Sequence, residues 1–512
     1  MPLLLPSTDP QPLAPGLYAT DAFHRRPLFA VNGQVVCSWN EAHALHGPAR
    51  LEDINPAYVA ALISGNHNAG VAPYKRIQRL PRAHHVRVGS DGTVQTHGYD
   101  PLAGGASAMD ADSLHQFLRQ GLIDHLERTL EGHAGAIGCE HSSGLDSNAV
   151  LGGLVHGVGV APGRIHTWSR EEGGECSPLL TFRPFHRLKP EQCHRFEPAD
   201  TGGESTLDFD QQQLAVFGAP AQIGGNTTAA SLLGSLGCTV LFSGFGGDQA
   251  LSHNAANVPT DLVAQGRWHE LGQWMGGTRA TLKTAAGRAL ALSYRPWAVN
   301  KVLRSTRDVY SGDLLRRTLT PEGRQWLGPH LNDKFPWEFD SYLKQHLSIR
   351  RRVLADWVSV RVEDEIRLAA FYGMDKAFPL LDEKLIGALL QQDPALFGES
   401  AGRGRLLHRR AFASFLPPFL RTNPSKNRQS KGGLEQWRAQ LINRLQKGLE
   451  RSTLAFSNWH PNVFRCWDVE AIHHEIDVVL SNPEPTINSV AGISTATATM
   501  TALSNWWQAL DG

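Results

Sequence analysis

Two hydroxyls, a glycine, a carboxylate and a third hydroxyl fall within six residues at Ser142-Ser143-Gly144-Leu145-Asp146-Ser147. The apolar run Ala134 to Cys139 precedes them and Asn148-Ala149-Val150-Leu151 follows, so the order reads strand, tight turn, helix. Such a turn aims consecutive backbone N–H groups and the positive end of a helix dipole at one point, which makes an anion site without any Lys or Arg. Pyrophosphate is its natural guest. Asp146 would repel that guest unless a cation lay between them, so the turn calls for Mg²⁺ and reads as an ATP site. The same residue types also serve as plain N-caps and turns, and this stretch alone does not separate the two readings. A second run, Val240-Leu241-Phe242-Ser243-Gly244-Phe245-Gly246-Gly247-Asp248, repeats the strand-then-turn pattern. Two such turns closing neighbouring parallel strands would meet at the carboxyl edge of a sheet, with Asp146 and Asp248 on one metal.

Set in order along the chain, these motifs resemble those of the asparagine synthetase superfamily. Ser142 to Asn148 is similar to its pyrophosphate loop, Ser-Gly-Gly-Leu-Asp-Ser-Ser, and Ser243 to Gln249 to its second motif, Ser-Gly-x-Gly-(Gly/Ala)-Asp-Glu. Phe378-Pro379-Leu380-Leu381-Asp382 resembles the Pro-Phe-Leu-Asp segment, and Leu407-His408-Arg409-Arg410-Ala411 with Leu416-Pro417 the Leu-Arg-x-Ala…Leu-Pro helix. Arg428-Gln429-Ser430-Lys431-Gly432-Gly433-Leu434 resembles the loop of the catalytic lysine. The resemblance implies ATP bound by Ser142, Ser143, Gly144, Leu145, Asp146, Ser147, Ser243 and Gly244, Mg²⁺ on Asp146 and Asp248, and Lys431 as a catalytic residue at the phosphates. On composition alone Lys431 is a solvated loop cation, with Lys426 and Arg428 as rivals.

The elements that must position these groups follow from periodicity. From Asp112 helix and strand patterns alternate: an apolar helical stripe from Leu114 to Leu130, the strand to Cys139, a strand over Arg164 to Trp168 and the strand to Phe242. The alternation gives an α/β fold with a parallel, doubly wound sheet, which the resemblance makes adenine nucleotide hydrolase-like. Residues 1–105 read as a small β-rich domain, with a hairpin signal at Asn32-Gly33, and residues 106–512 as the synthetase domain, mostly helical after 255. Trp506 and Trp507 in an Ala/Thr-rich tail read as core-packing residues.

Composition narrows the partners. Lys+Arg and Asp+Glu both number 49, so no net field favours nucleic acid or an acidic membrane, and no run of apolar residues is long enough to span one. The start Met1-Pro2-Leu3-Leu4-Leu5-Pro6 lacks the features of a signal peptide, so the expected location is the cytoplasm. Six scattered cysteines without a Cys-x-x-Cys pair read as reduced.

Departures from the superfamily pattern refine the expected reaction. A glutaminase domain opens with Cys after Met, whereas position 2 is Pro, so residues 1–105 are expected to be a degenerate relic that supplies no ammonia. Phe245 stands where asparagine synthetases have Glu, and Phe takes no proton. Glu363 is the candidate proton acceptor by similarity to β-lactam-forming relatives, against the plain reading of a solvated helix acid. Glu140 and His141 replace the apolar pair usual before the loop and receive no role. The expectation is an ATP-dependent, AMP- and pyrophosphate-forming carbon–nitrogen ligase most like the lasso peptide cyclases. Such an enzyme activates an Asp or Glu side chain of a precursor peptide and closes it to a macrolactam. A leader peptidase and a leader-binding protein would be its partners. Two alternatives stand beside it: a small-molecule amide or β-lactam synthetase, and a non-catalytic ATP-binding scaffold.

Overall fold

The computed structural model describes residues 11–64, 67–103, 107–170, 182–196, 218–223, 226–253, 255–275, 311–331, 344–399, 403–422, 456–482 and 487–511, with scattered positions between them. The amino-terminal part carries two small antiparallel sheets. Strands β1 (Gly16–Thr20), β5 (His84–Val88) and β6 (Val94–Gly98) form one, in the order β1-β5-β6. Strands β2 (Phe29–Val31), β3 (Gln34–Val36) and β4 (Gln78–Arg79) form the other, in the order β3-β2-β4. Asn32 and Gly33 join β2 to β3 with φ of 49° and 76°, the left-handed pair that a two-residue hairpin requires. Helices α1 (Trp39–His46) and α2 (Pro56–Ser64) lie between these strands, so the unit is mixed rather than purely β-rich.

Helix α3 (Ala111–Leu130) leads into the central sheet; Leu114, Leu118, Leu122 and Leu126, each one turn apart, are fully buried on one face. Five strands follow: β7 (Ala136–Glu140), β8 (Ile165–Arg170), β9 (Cys193–Phe196), β10 (Cys238–Phe242) and β11 (Asp375–Ala377). Every pairing between them is parallel and the spatial order is β11-β10-β7-β8-β9. Helix α4 (Leu145–Gly152) follows β7, and α5 (Thr227–Ser235) precedes β10. The chain steps outward from β7 to β9 and then returns to place β10 on the other side of β7. That reversal leaves a crevice at the carboxyl ends of β7 and β10, the position at which open parallel sheets bind ligands.

The later part is helical: α6 (Asp356–Phe371), α7 (Leu406–Ala411) and α8 (Ile487–Asp511) are the helices that matter below. Trp506 and Trp507 on α8 are buried and belong to one cluster with Phe29, Trp39, Tyr58 and Tyr74 of the amino-terminal part. The indole N–H of Trp506 donates to Tyr74 Oη at 3.1 Å. Tyr74 in turn donates to the carbonyl of Gly218 at 2.7 Å, so its hydroxyl is used in both directions. Among the described residues no helix is long and apolar enough to cross a membrane.

Candidate functional site

The first turn is wired by its own hydroxyls. Ser147 Oγ accepts from the Ser142 N–H at 3.1 Å and lies 2.9 Å from Ser142 Oγ, which itself accepts from the Gly144 N–H at 3.1 Å. Gly144 is the N-cap of α4 and offers no side-chain acceptor to the amides of the first helical turn. Without a side-chain cap, the first-turn amides and the positive end of the helix dipole meet the requirement of an anion site. Behind the turn, Asn148 Nδ2 donates to the carbonyls of both Ser142 and Gly144, each at 2.8 Å.

The second turn lies directly on the first. A Cβ added to Gly244 would sit 2.5 Å from the Ser147 backbone N and 2.8 Å from the Asp146 carbonyl carbon. At Gly247 it would sit 2.2 Å from Asp146 Oδ1. The Gly244 contact is with backbone that cannot swing aside, so glycine is required there for the turns to meet, and at Gly247 any larger residue would displace the Asp146 carboxylate. Gly246, at φ 100°, packs against Leu381 of the Phe378 to Asp382 segment. The structure thus gathers Ser142, Ser143, Gly144, Leu145, Asp146, Ser147, Ser243, Gly244 and Asp248 at one edge of the sheet, between β7 and β10.

Helix α7 faces both aspartates. His408 Nε2 is 3.3 Å from Asp146 Oδ1, and Arg405 Nη1 is 2.6 Å from Asp248 Oδ1. Arg405, the N-cap residue, adopts φ 66° at the head of this helix. Neither pairing was legible beforehand, because nothing in the sequence says which face of α7 turns to the sheet. Two carboxylates carried on abutting turns fit a hard, oxygen-seeking cation such as Mg²⁺, whose remaining positions phosphate oxygens and water would fill. Among the described residues no group of three or more His, Cys, Asp or Glu side chains is arranged to hold a metal.

A buried chain of charges stands behind Ser243. Its hydroxyl donates to Glu140 Oε2 and accepts from the Phe245 N–H at 3.1 Å. Lys376 of β11, only 3% exposed, lies 2.5 Å from Glu140 Oε1 and 3.0 Å from Glu365 Oε2 of α6. Burial alone would push the Lys376 amine down; the charges of Glu140 and Glu365 outweigh it and raise it. Burial likewise pushes the Glu365 carboxyl up, and Lys376 with Arg361 outweighs that and holds it below its usual value. Arg361 also covers the Phe245 ring at 4.1 Å, and Trp357 and Phe378 meet that ring edge-on.

Glu363 is placed elsewhere. Two residues before Glu365 on α6, it is 4% exposed and ion-paired with Arg79 of β4, with Arg367 at 3.8 Å. Its neighbours across the cavity are Phe29, Trp39 and Tyr58 of the amino-terminal part, and none of its ion-pair partners belongs to the two turns. A helix turns about 100° per residue, so a shift of two positions carries the carboxylate to another face. Lys431, with its rivals Lys426 and Arg428, lies outside the described residues.

A family model described as asparagine synthase matches residues 210–477, just over half of the chain. The match takes in the second turn, α6 and α7 and begins after the first turn. Among curated proteins none matches the chain.

Proposed function

The chain belongs to the asparagine synthase family, whose members are ATP-dependent ligases that form amide bonds and release AMP, and from that premise we propose that it adenylates a carboxylate of a precursor peptide and closes it on the peptide's own amine as a macrolactam. The observation that carries the ATP half of this reading is the contact of Gly244 and Gly247 with Asp146 and Ser147, which makes one crevice of two distant motifs. In that crevice the first-turn amides of α4 would hold the phosphates, and Asp146 with Asp248 would hold Mg²⁺, which when bound would neutralise phosphate charge. A substrate carboxylate oxygen bonds to the α-phosphorus as the bond to pyrophosphate breaks. The amine nitrogen then bonds to the acyl carbon, AMP leaves, and the amine proton passes to a base. Lys431 is assigned to the phosphates on the strength of its motif. Positioning and charge do most of this chemistry.

What supports an amine other than ammonia is Phe245, a hydrocarbon wall packed by Trp357, Phe378 and the Arg361 guanidinium where a proton-accepting Glu would otherwise stand. A leader peptidase that frees the peptide amino terminus, and a leader-binding protein, follow as partners of that reaction. The test is pyrophosphate release with ATP, Mg²⁺ and candidate peptides, together with mass spectrometry for a product short of one water. Asp146→Ala is expected to abolish release, and turnover at the wild-type rate would refute the metal assignment.

A further inference from the structure

We propose that His141 and His186 form, with Asn148, a neutral clamp that fixes the shape of the pyrophosphate turn, making both histidines positioning residues for ATP binding. The inference rests on the ligase reading above and adds residues that the motif resemblance leaves without a role.

The hydrogen-bond inventory leaves one arrangement. Asn148 is fully buried, and one atom of its amide lies 2.8 Å from the carbonyl oxygens of both Ser142 and Gly144. Carbonyls only accept, so that atom is Nδ2 and both its protons are spent on the turn. Oδ1 then faces His186 Nε2 at 2.9 Å and His141 Nε2 at 3.3 Å. An amide oxygen only accepts, so both imidazoles carry their proton on Nε2. All four hydrogen-bonding capacities of the amide are thereby used.

The histidines are held neutral by their surroundings. They are 1% and 0% exposed, and their rings meet edge to face at 5.6 Å. Nδ1 of each is buried without a hydrogen-bond acceptor, so a second proton would have nowhere to go. Burial lowers His141 to about 4; burial, followed by the neighbouring His141 and His156, lowers His186 to about 2. With both tautomers fixed, Asn148 cannot flip its amide without setting Nδ2 against two N–H donors and Oδ1 against two carbonyls. The Ser142 and Gly144 carbonyls are therefore pulled to the back of the turn, and the α4 amides turn to its front. His186 reaches the turn from a different segment, 38 residues away, which ties the loop after β7 to the stretch that leads into β9.

The test replaces each histidine by a residue that keeps the donor and by one that keeps only the bulk. Gln places an amide N–H about where Nε2 stands, and Leu fills the space without a donor. In the full-length chain, ATP·Mg²⁺ dissociation constants are measured by calorimetry for wild type, H141Q, H141L, H186Q and H186L. The expectation is a loss of affinity of about tenfold for each Leu variant and near wild-type affinity for each Gln variant. In turnover the Leu variants are expected to raise KM for ATP while kcat changes less. Where a Leu variant fails to fold, H186Q decides: retained affinity supports the clamp and lost affinity overturns it. Leu variants that bind as wild type, or Gln variants as weak as their Leu counterparts, overturn the clamp alone. Failure of the wild-type chain to bind ATP·Mg²⁺ overturns the ligase reading and the clamp together.

Discussion

Replacing Lys376 by Met removes the one cation between two carboxylates while keeping most of the side-chain volume. The amine lies 2.5 Å from Glu140 and 3.0 Å from Glu365 and is 3% exposed, so little solvent screens either pair. Breaking a buried ion pair by deleting one partner costs about 3–5 kcal/mol, because a charge is left behind without compensation. Glu365 keeps Arg361 at 2.7 Å, so the charge left without its cation is that of Glu140, which sets K376M at the lower end of that range. The pH dependence has a definite sign. In the wild type the depressed Glu365 carboxyl stabilises above its unfolded value near about 4.3 and is lost as pH falls through its lower folded value; the raised Lys376 amine stabilises up to its own folded value. The wild-type contribution is therefore flat across neutrality. In K376M one of the two carboxyls takes up a proton more readily than in the unfolded chain, so the penalty shrinks as pH falls from 7.5 towards 5.5. Urea unfolding midpoints at those two pH values measure it. A loss under about 1 kcal/mol at pH 7.5, or a penalty that grows on acidification, would refute the account.

Other outcomes follow from the same geometry. Gly244→Ala forces a methyl onto the backbone of Asp146 and Ser147, which cannot swing aside; it should cost about 1–3 kcal/mol in thermal unfolding and lower pyrophosphate release about a hundredfold. Trp506→Ala, at a fully buried site, should cost about 3–5 kcal/mol, and hydrogen exchange should show α2 losing protection along with α8. Asp382 caps the helix Glu383–Leu389 and pairs with His125 at 3.0 Å; burial pushes its carboxyl up, but the hydrogen bond and charge of His125 prevail and hold it at about 2. Asp382→Ala should therefore cost about 1–2 kcal/mol at pH 7, a difference that closes as pH falls from about 4 towards 2 in acid unfolding curves.

The parallel sheet was readable because a largely buried strand such as β10, followed by a glycine-rich turn, leaves a composition signal that local rules capture. Asn32-Gly33 and the stripe from Leu114 to Leu126 were readable for the same reason: turn chemistry and helical period are local. The partners of the two aspartates were not, since His408 and Arg405 reach them only after a chain separation of more than 150 residues has closed. Glu140 and His141 did stand out as departures from a motif, yet their surroundings lay in Lys376, Asn148 and His186, which no spacing rule links to them. Helix α6 shows the limit most directly. Its acidic cluster is visible in sequence, but which carboxylate turns to β11 and which to β4 is decided by how the helix sits, and Glu365, not Glu363, meets the sheet.

The common cluster of α8 with Tyr58, Tyr74 and Trp39 bears on how the protein is made. A ribosome delivers the first hundred residues long before residues 487–511, so the early segment emerges with its large aromatic side chains still lacking the surface that will cover them. Closure of that region is a late event in biogenesis, and a chain stalled before α8 presents a sticky, half-finished front end to chaperones and proteases.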